Sequence, residues 1–478
     1  MTKKKLARWL HEYSIPLVLG VVAALFLANS SPEFYHRLTH TPVYKLFSSD
    51  AGDHHSDAVA HGHANHQSTD NHHAGHHEAD AHQATDAHHE TIAASVHSVD
   101  HSDTHASHGH DEGIGHYFTL HFLINDLFMV LFFGVAAKEI TEACLPKGAL
   151  NPVSKAINPL FATLGGVLGP VAFFLTANAL FGDPAWTKGW GIPTATDIAL
   201  AWMVARLIFG ANHPAISFLL LLAVADDAIG LGIIAIAYPD PTHPTEWINA
   251  LWIVPGMITA FILRKCQVQN WLLYIVAGGV FSWWGLYSAH LHPALALVFI
   301  VPFIPGPNVD FGLYRDDESQ DAHADCPLEK FEHQTRLFVD CGLFFFALVN
   351  AGVSFNDVTG LTWILLASLA FGKTLGVAGF SMLAVRCGFP LPAGMNIRHT
   401  IVVGIIAGLG LTVALFVSGQ AFVDPSTQSA AKMGALFSVV VALVAVVAAK
   451  ALGVSVGSNK STSPAAAPIG GSQQISAS

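Results

Sequence analysis

"LLLLAVADDAIGLGIIAIAY", Leu219 to Tyr238, is apolar for most of a membrane thickness, yet two adjacent carboxylates, Asp226 and Asp227, sit at its centre. A helix needs about 20 apolar residues to cross a bilayer. A charge at the bilayer centre costs at least about 2.5–3.5 kcal/mol on insertion scales, so ionisable residues there are functional candidates. Neighbours on a helix point about 100° apart, so the two Asp can face different partners. Crowded into one wet cavity, they titrate as a coupled pair and can hold a proton that an arriving cation displaces. That is the chemistry of ion–proton exchange.

The rest of the chain sets the same frame. It has 478 residues, 52% hydrophobic and only 12% charged, with a mean hydropathy of +0.46. A soluble domain carries about 25% charged residues. The apolar runs predict an all-α polytopic membrane protein of about 12 transmembrane helices, because only closed backbone hydrogen bonding survives in lipid. The five Cys form no CxxC, so neither a disulfide framework nor a zinc site is indicated. Nothing in the composition points to nucleic acid; the expected partner is the lipid bilayer. With "MTKKKLAR" in the cytoplasm, basic residues gather at cytoplasmic ends and loops, which places both termini inside. The expected divisions are residues 1–49 (cytoplasmic N-terminus and first helix), 50–116 (an outer loop), 117–455 (the membrane core) and 456–478 (a disordered cytoplasmic tail). A cleaved signal peptide at the N-terminus would remove one span and leave the outer loop outside.

The outer loop is low in complexity. Residues 50–116 hold 18 of the 29 His and 12 Asp or Glu, with no Lys or Arg between Lys45 and Lys138. Such a composition reads as disordered. In "NHHAGHHEADAH", His72 and His76, like His73 and His77, stand one helical turn apart, so Zn2+ or another transition metal is one expected ligand. A brush over the pore mouth that changes charge below pH ~6 is a second reading. A solvated, dispensable insertion is the third.

Further unusual residues lie inside the spans. Asp197 follows Pro193 and a Thr-Ala-Thr run in "GIPTATDIAL", which predicts an interrupted helix with free carbonyls and exposed helix ends, and Thr196 adds a hydroxyl ligand. Lys373, in "LAFGKTLGVAG", is read as the only basic residue deep in the bilayer, and an Asp of the pair is its natural partner. "GIIAGLGLTVALF", Gly404–Phe416, carries Gly404, Gly408 and Gly410, a density that suggests close helix packing or a second broken helix. The last spans would then mirror the third to fifth, the repeat pattern of secondary transporters.

The stretches "INDLFMVLFF", "IPTATDIALA", "AVADDAIG", "NAGVSF", "GKTLGV" and "VVGIIAGLGLT" occur in order from about Ile124 onward. In these the chain resembles the NhaA-type sodium/proton antiporters. The resemblance implies inverted-topology repeats with two interrupted helices crossing mid-membrane, and electrogenic export of Na+ or Li+ for a larger number of protons, serving sodium and pH homeostasis. It implies that Asp227 is the main sodium and proton carboxylate, that Asp226 pairs with Lys373, and that Thr196 helps coordinate the ion. Asp197, helped by Lys373, would balance the helix ends at the crossing. Asp126 would line the cytoplasmic funnel, and Glu139 would sit at its mouth, where pH is sensed. No cofactor is implied, and the localisation implied is the bacterial inner membrane.

The chain departs from the family pattern in places. Thr141 and Glu142 follow "KEI", where the family has basic and acidic residues in a set order. Asp340 stands at a usually apolar position, and His292 matches the family's outer His region only loosely. A homodimer fits the resemblance, although the His-rich loop occupies the place of the family's dimer-contact segment. Competing readings are a sodium-coupled solute symporter on a related fold, a metal-responsive transporter working through the His-rich loop, and a membrane metal sensor. The symporter would need a substrate cavity with basic groups, for which only Lys373 is on offer.

Overall fold

The computed structural model describes residues 15–42, 119–145, 153–210, 213–239, 244–306 and 326–454. His72, His73, His76 and His77 lie outside the described residues, as does the tail 456–478. The described residues are helical almost throughout and contain no strand, only an isolated bridge between Pro42 and Thr119. In chain order the helices are α1 (Ile15–Ser30), α2 (Pro32–His40), α3 (Leu120–Ala143), α4 (Val153–Phe181), α5 (Pro184–Thr194), α6 (Ile198–Phe209), α7 (Pro214–Ala237) and α8 (Ile253–Lys265). They continue with α9 (271–288), α10 (Pro293–Phe303), α11 (Pro327–Asn350), α12 (Gly360–Arg386), α13 (Ile397–Ala407), α14 (Leu411–Ala421) and α15 (Pro425–Ala451).

Five of these, α3, α4, α7, α12 and α15, are long and apolar enough to cross a membrane, and the number is seven if each of two bent pairs is one span. The remaining expected spans fall on shorter helices such as α1, α8 and α10, or on α11, which carries Glu329, Lys330, Glu332, Arg336 and Asp340. The bent pairs are α5 with α6, at 57°, and α13 with α14, at 48°. Both expected interruptions are therefore present. Pro193 leaves helical geometry at the end of α5, and the second break falls at Gly408–Gly410.

Close backbone approach holds the centre together. Gly165 and Gly169 of α4 lie against Gly372 and Gly376 of α12. A Cβ at Gly376 would fall on the Gly165 carbonyl and sit 3.0 Å from the Gly169 Cα. Without side chains between them the backbones gain contact area, which is how helices associate where lipid offers no hydrophobic drive. Gly404 meets Thr374 in the same way, so the Gly run of α13 serves both packing and the break. This crossing sets Lys373, on α12, beside α5 and α7.

At one end of the bundle, α2 folds over the helices. The Tyr35 hydroxyl lies 2.9 Å from the carbonyls of both Leu348 and Val349, at the end of α11. Asn125 and Asn350 exchange amide hydrogen bonds there and join α3 to α11.

Candidate ion-binding site

A broken helix exposes amides at one half's start and carbonyls at the other half's end, and inside a membrane each must find a partner. Asp197 serves both starts. Its Oδ1 accepts from the Leu200 amide at 3.1 Å, capping α6, and its Oδ2 accepts from the Thr412 amide at 3.4 Å, at the start of α14. Its own amide donates to the Leu409 carbonyl at 2.6 Å, stitching the two breaks together. A carboxylate between two helix N-termini also meets two positive dipole ends. The carbonyl ends are served by donors. Lys373 Nζ donates to the Thr194 carbonyl at 2.6 Å, and the Thr196 hydroxyl lies 3.0 Å from the Ala407 carbonyl.

The carboxylate pair sits over this crossing. Asp226 Oδ2 is 3.0 Å from Lys373 Nζ and 3.0 Å from the Thr196 hydroxyl. Asp226 and Lys373 are fully buried, and Thr196 is nearly so. Asp227, one position on, turns to a different environment. It is half-buried and is the only ionisable group lining a cavity formed with Phe132, Phe133, Ala195, Leu231 and Val413. The Oδ1 atoms of Asp226 and Asp227 are both buried with no hydrogen-bond partner among the described residues. An orphaned carboxylate oxygen is costly unless something else binds it, and a hard cation or a proton is what such an oxygen accepts.

The structure therefore brings Asp226, Lys373 and Thr196 into direct contact, with Asp227 beside them and Asp197, next in the chain to Thr196, capping the helix ends of the same crossing. Glu139 of α3 is among the charged groups near enough to act on Asp227. Asp126 is not part of the same group. It lies thirteen residues before Glu139 on α3, about 20 Å along the helix at 1.5 Å per residue, toward the end covered by α2. The two carboxylates are therefore not side by side on α3. A stretch of π-helix, Leu123–Phe128, surrounds Asp126, and a second, Ser368–Gly372, immediately precedes Lys373. Such wide turns are frequent at functional sites.

Sequence reasoning missed three features. Lys138 is 6% exposed and Lys432 9%, so Lys373 is not the only buried lysine. Lys138 bridges Glu142 at 2.7 Å and also Glu332 of α11. This ties α3 to α11 beside Glu139. A Lys inside the apolar run "LFFGVAAKEI" was the available signal, with Glu142 one turn on, but its second partner is 194 residues away. Tyr238, at the end of α7, is the third: its hydroxyl donates to the Lys188 carbonyl and accepts from the Gly191 amide, both at 2.8 Å. His292 accepts from the Ala294 amide, and its ring meets Phe416 edge-on at 4.7 Å.

The model of the family described as Na+/H+ antiporter 1 matches residues 87–450. The chain belongs to that family. A relative named "Na(+)/H(+) antiporter NhaA" from Desulfitobacterium hafniense is 47% identical over 454 residues, covering 95% of this chain and 97% of its own length. One of the same name from Geobacter metallireducens is 56% identical, covering 90% and 93%. A third, from Geobacter sulfurreducens, is 46% identical, covering 94% and 99%. Membership in this family and the apolar helices make the chain a multi-pass membrane protein. Among the described residues no group of three or more His, Cys, Asp or Glu is placed to hold a transition metal.

Proposed function

We propose that this chain is a secondary transporter that expels Na+, or Li+, in exchange for protons entering across a bacterial inner membrane. Family membership supports the reaction, and the site geometry supports the roles. The observation that carries the reading is the unequal state of the two carboxylates. Asp226 is fastened by Lys373 and Thr196, while Asp227 faces a cavity with one oxygen orphaned.

Asp227 is then the carboxylate at which sodium and protons compete. A sodium ion takes oxygen ligands, and Asp227, the free Oδ1 of Asp226 and the Thr196 hydroxyl are the oxygens this crossing offers. When protons hold the carboxylates, the cation is displaced; when sodium enters, the protons leave. Two carboxylates allow more than one proton per sodium, so the cycle moves net charge. Asp197 and Lys373 keep the helix breaks electrically balanced through the cycle. The bias of Lys and Arg supports cytoplasmic termini, and it puts Glu139 and Lys138 at the cytoplasmic mouth. The two chains of a homodimer would each hold a complete site.

The test is Asp227→Asn in everted vesicles from cells lacking their own sodium/proton antiporters. Sodium-dependent dequenching of a pH dye is expected to fall to background at every pH from 7 to 9. Dequenching at the rate of the unsubstituted protein would remove Asp227 from the site.

A further inference from the structure

We infer that Tyr238 is a positioning residue for the ion site, holding the half-helix α5 in register with the carboxylates of α7. The inference rests on the proposed exchange site and adds a residue to it. Tyr238 is 5% exposed at the end of α7, twelve positions after Asp226, a distance of about 18 Å along the helix. Its hydroxyl sits between the Lys188 carbonyl, to which it donates, and the Gly191 amide, from which it accepts. Lys188 and Gly191 are the i and i+3 positions of a single 3₁₀ turn of α5. A phenol from α7 thus clamps both polar groups of one turn of that half-helix.

Two further observations fit. The ring lies near-parallel to Trp190, with centroids 6.3 Å apart, so its direction is fixed. Gly191 has no room for a side chain: a Cβ there would lie 2.6 Å from the Tyr238 hydroxyl. Three residues beyond Gly191 lies Thr194, whose carbonyl receives Lys373, followed by Thr196, which touches Asp226. α5 and α7 are therefore joined at two points, by Tyr238 at one end and by Thr196–Asp226 at mid-membrane. Without the hydroxyl, α7 loses both of its hydrogen bonds to this turn. That turn is then no longer tied to the end of α7, and Thr194 and Thr196 are free to shift relative to Asp226 and Asp227.

The experiment is Tyr238→Phe, which keeps the ring and removes the bridge. In everted vesicles the apparent KM for Na+ is expected to rise on the order of fivefold, the equivalent of one net hydrogen bond. The maximal rate, corrected for protein amount, should fall by a smaller factor. Gly191→Ala, which pushes the hydroxyl away from its partners, should raise KM in the same direction. An unchanged KM in Tyr238→Phe overturns the inference, and so does a loss of rate alone that follows a lowered melting temperature of the purified protein. Asp227→Asn run alongside separates the two levels. If that variant is inactive while Tyr238→Phe keeps its KM, only the positioning role fails. If Asp227→Asn exchanges normally, the site reading itself fails.

Discussion

Lys373 has two acceptors, and its position explains both. It donates to the Thr194 carbonyl and to Asp226 from the one place where α12, α5 and α7 meet. Removing one member of a buried ion pair strands the other, at a cost of about 3–5 kcal/mol. Lys373→Met is therefore expected to lower the melting temperature of the detergent-purified protein clearly. The double variant Lys373→Met, Asp226→Asn should recover part of the loss, because no charge is then left stranded. A double variant no more stable than the single one would show that the ion pair does not hold this crossing.

At this scale the sequence was legible wherever a charge stood in an apolar run. Asp226, Asp227, Asp197 and Lys373 announced themselves by what a membrane charges for them. Lys432 did not, because "SAAKMGALF" begins near a polar stretch and reads as a span end. Asn125 and Asn350, 225 residues apart, carry no charge to mark them. Lys138 had Glu142 one turn away in view, but its second partner, Glu332, was hidden by distance.

At the scale of elements, the α4–α12 crossing depends on missing side chains. Gly376→Ala puts a methyl onto the Gly165 carbonyl, and backbone cannot yield as a flexible side chain does. Overpacking of this kind costs about 1–3 kcal/mol. Spreading the crossing also moves Lys373 away from α5. The expected result is a lowered melting temperature together with reduced exchange, measured on the same preparation. Full activity with an unchanged melt would mean that the helices can part here at no cost. The first break could be read from Pro193 and the Thr-Ala-Thr run. The second could be read two ways from its glycines, and the structure shows that both hold. The π-helical turns at 123–128 and 368–372 leave no mark in residue type, since widening a turn needs only one extra residue in the ladder.

For the whole molecule, the Pro42–Thr119 bridge holds together the two points from which the His-rich segment departs and returns. Residues 50–116 can thus be removed and the chain rejoined through the segments left on either side without stretching the membrane core. Deleting them is expected to leave the Na+ dependence of exchange unchanged, measured in everted vesicles with and without added Zn2+. A lost or shifted sodium response would give the segment a part in transport. The order of spans was legible because lipid imposes long apolar runs. The count was less so, since α11 is a charged helix, with Glu332 met by Lys138, and does not stand among the helices long and apolar enough to cross.

The Thr196 hydroxyl has a single hydrogen and two acceptors at the same distance, Asp226 Oδ2 and the Ala407 carbonyl. It can satisfy only one at a time, so it works as a rotor with two stops. While Asp226 is ionised, the hydrogen is drawn to the carboxylate and binds α5's exit to α7. Turned the other way, the same hydrogen binds the segment to the end of α13 through Ala407. One hydroxyl thus stands where the broken segment can be tied to either of two neighbouring helices.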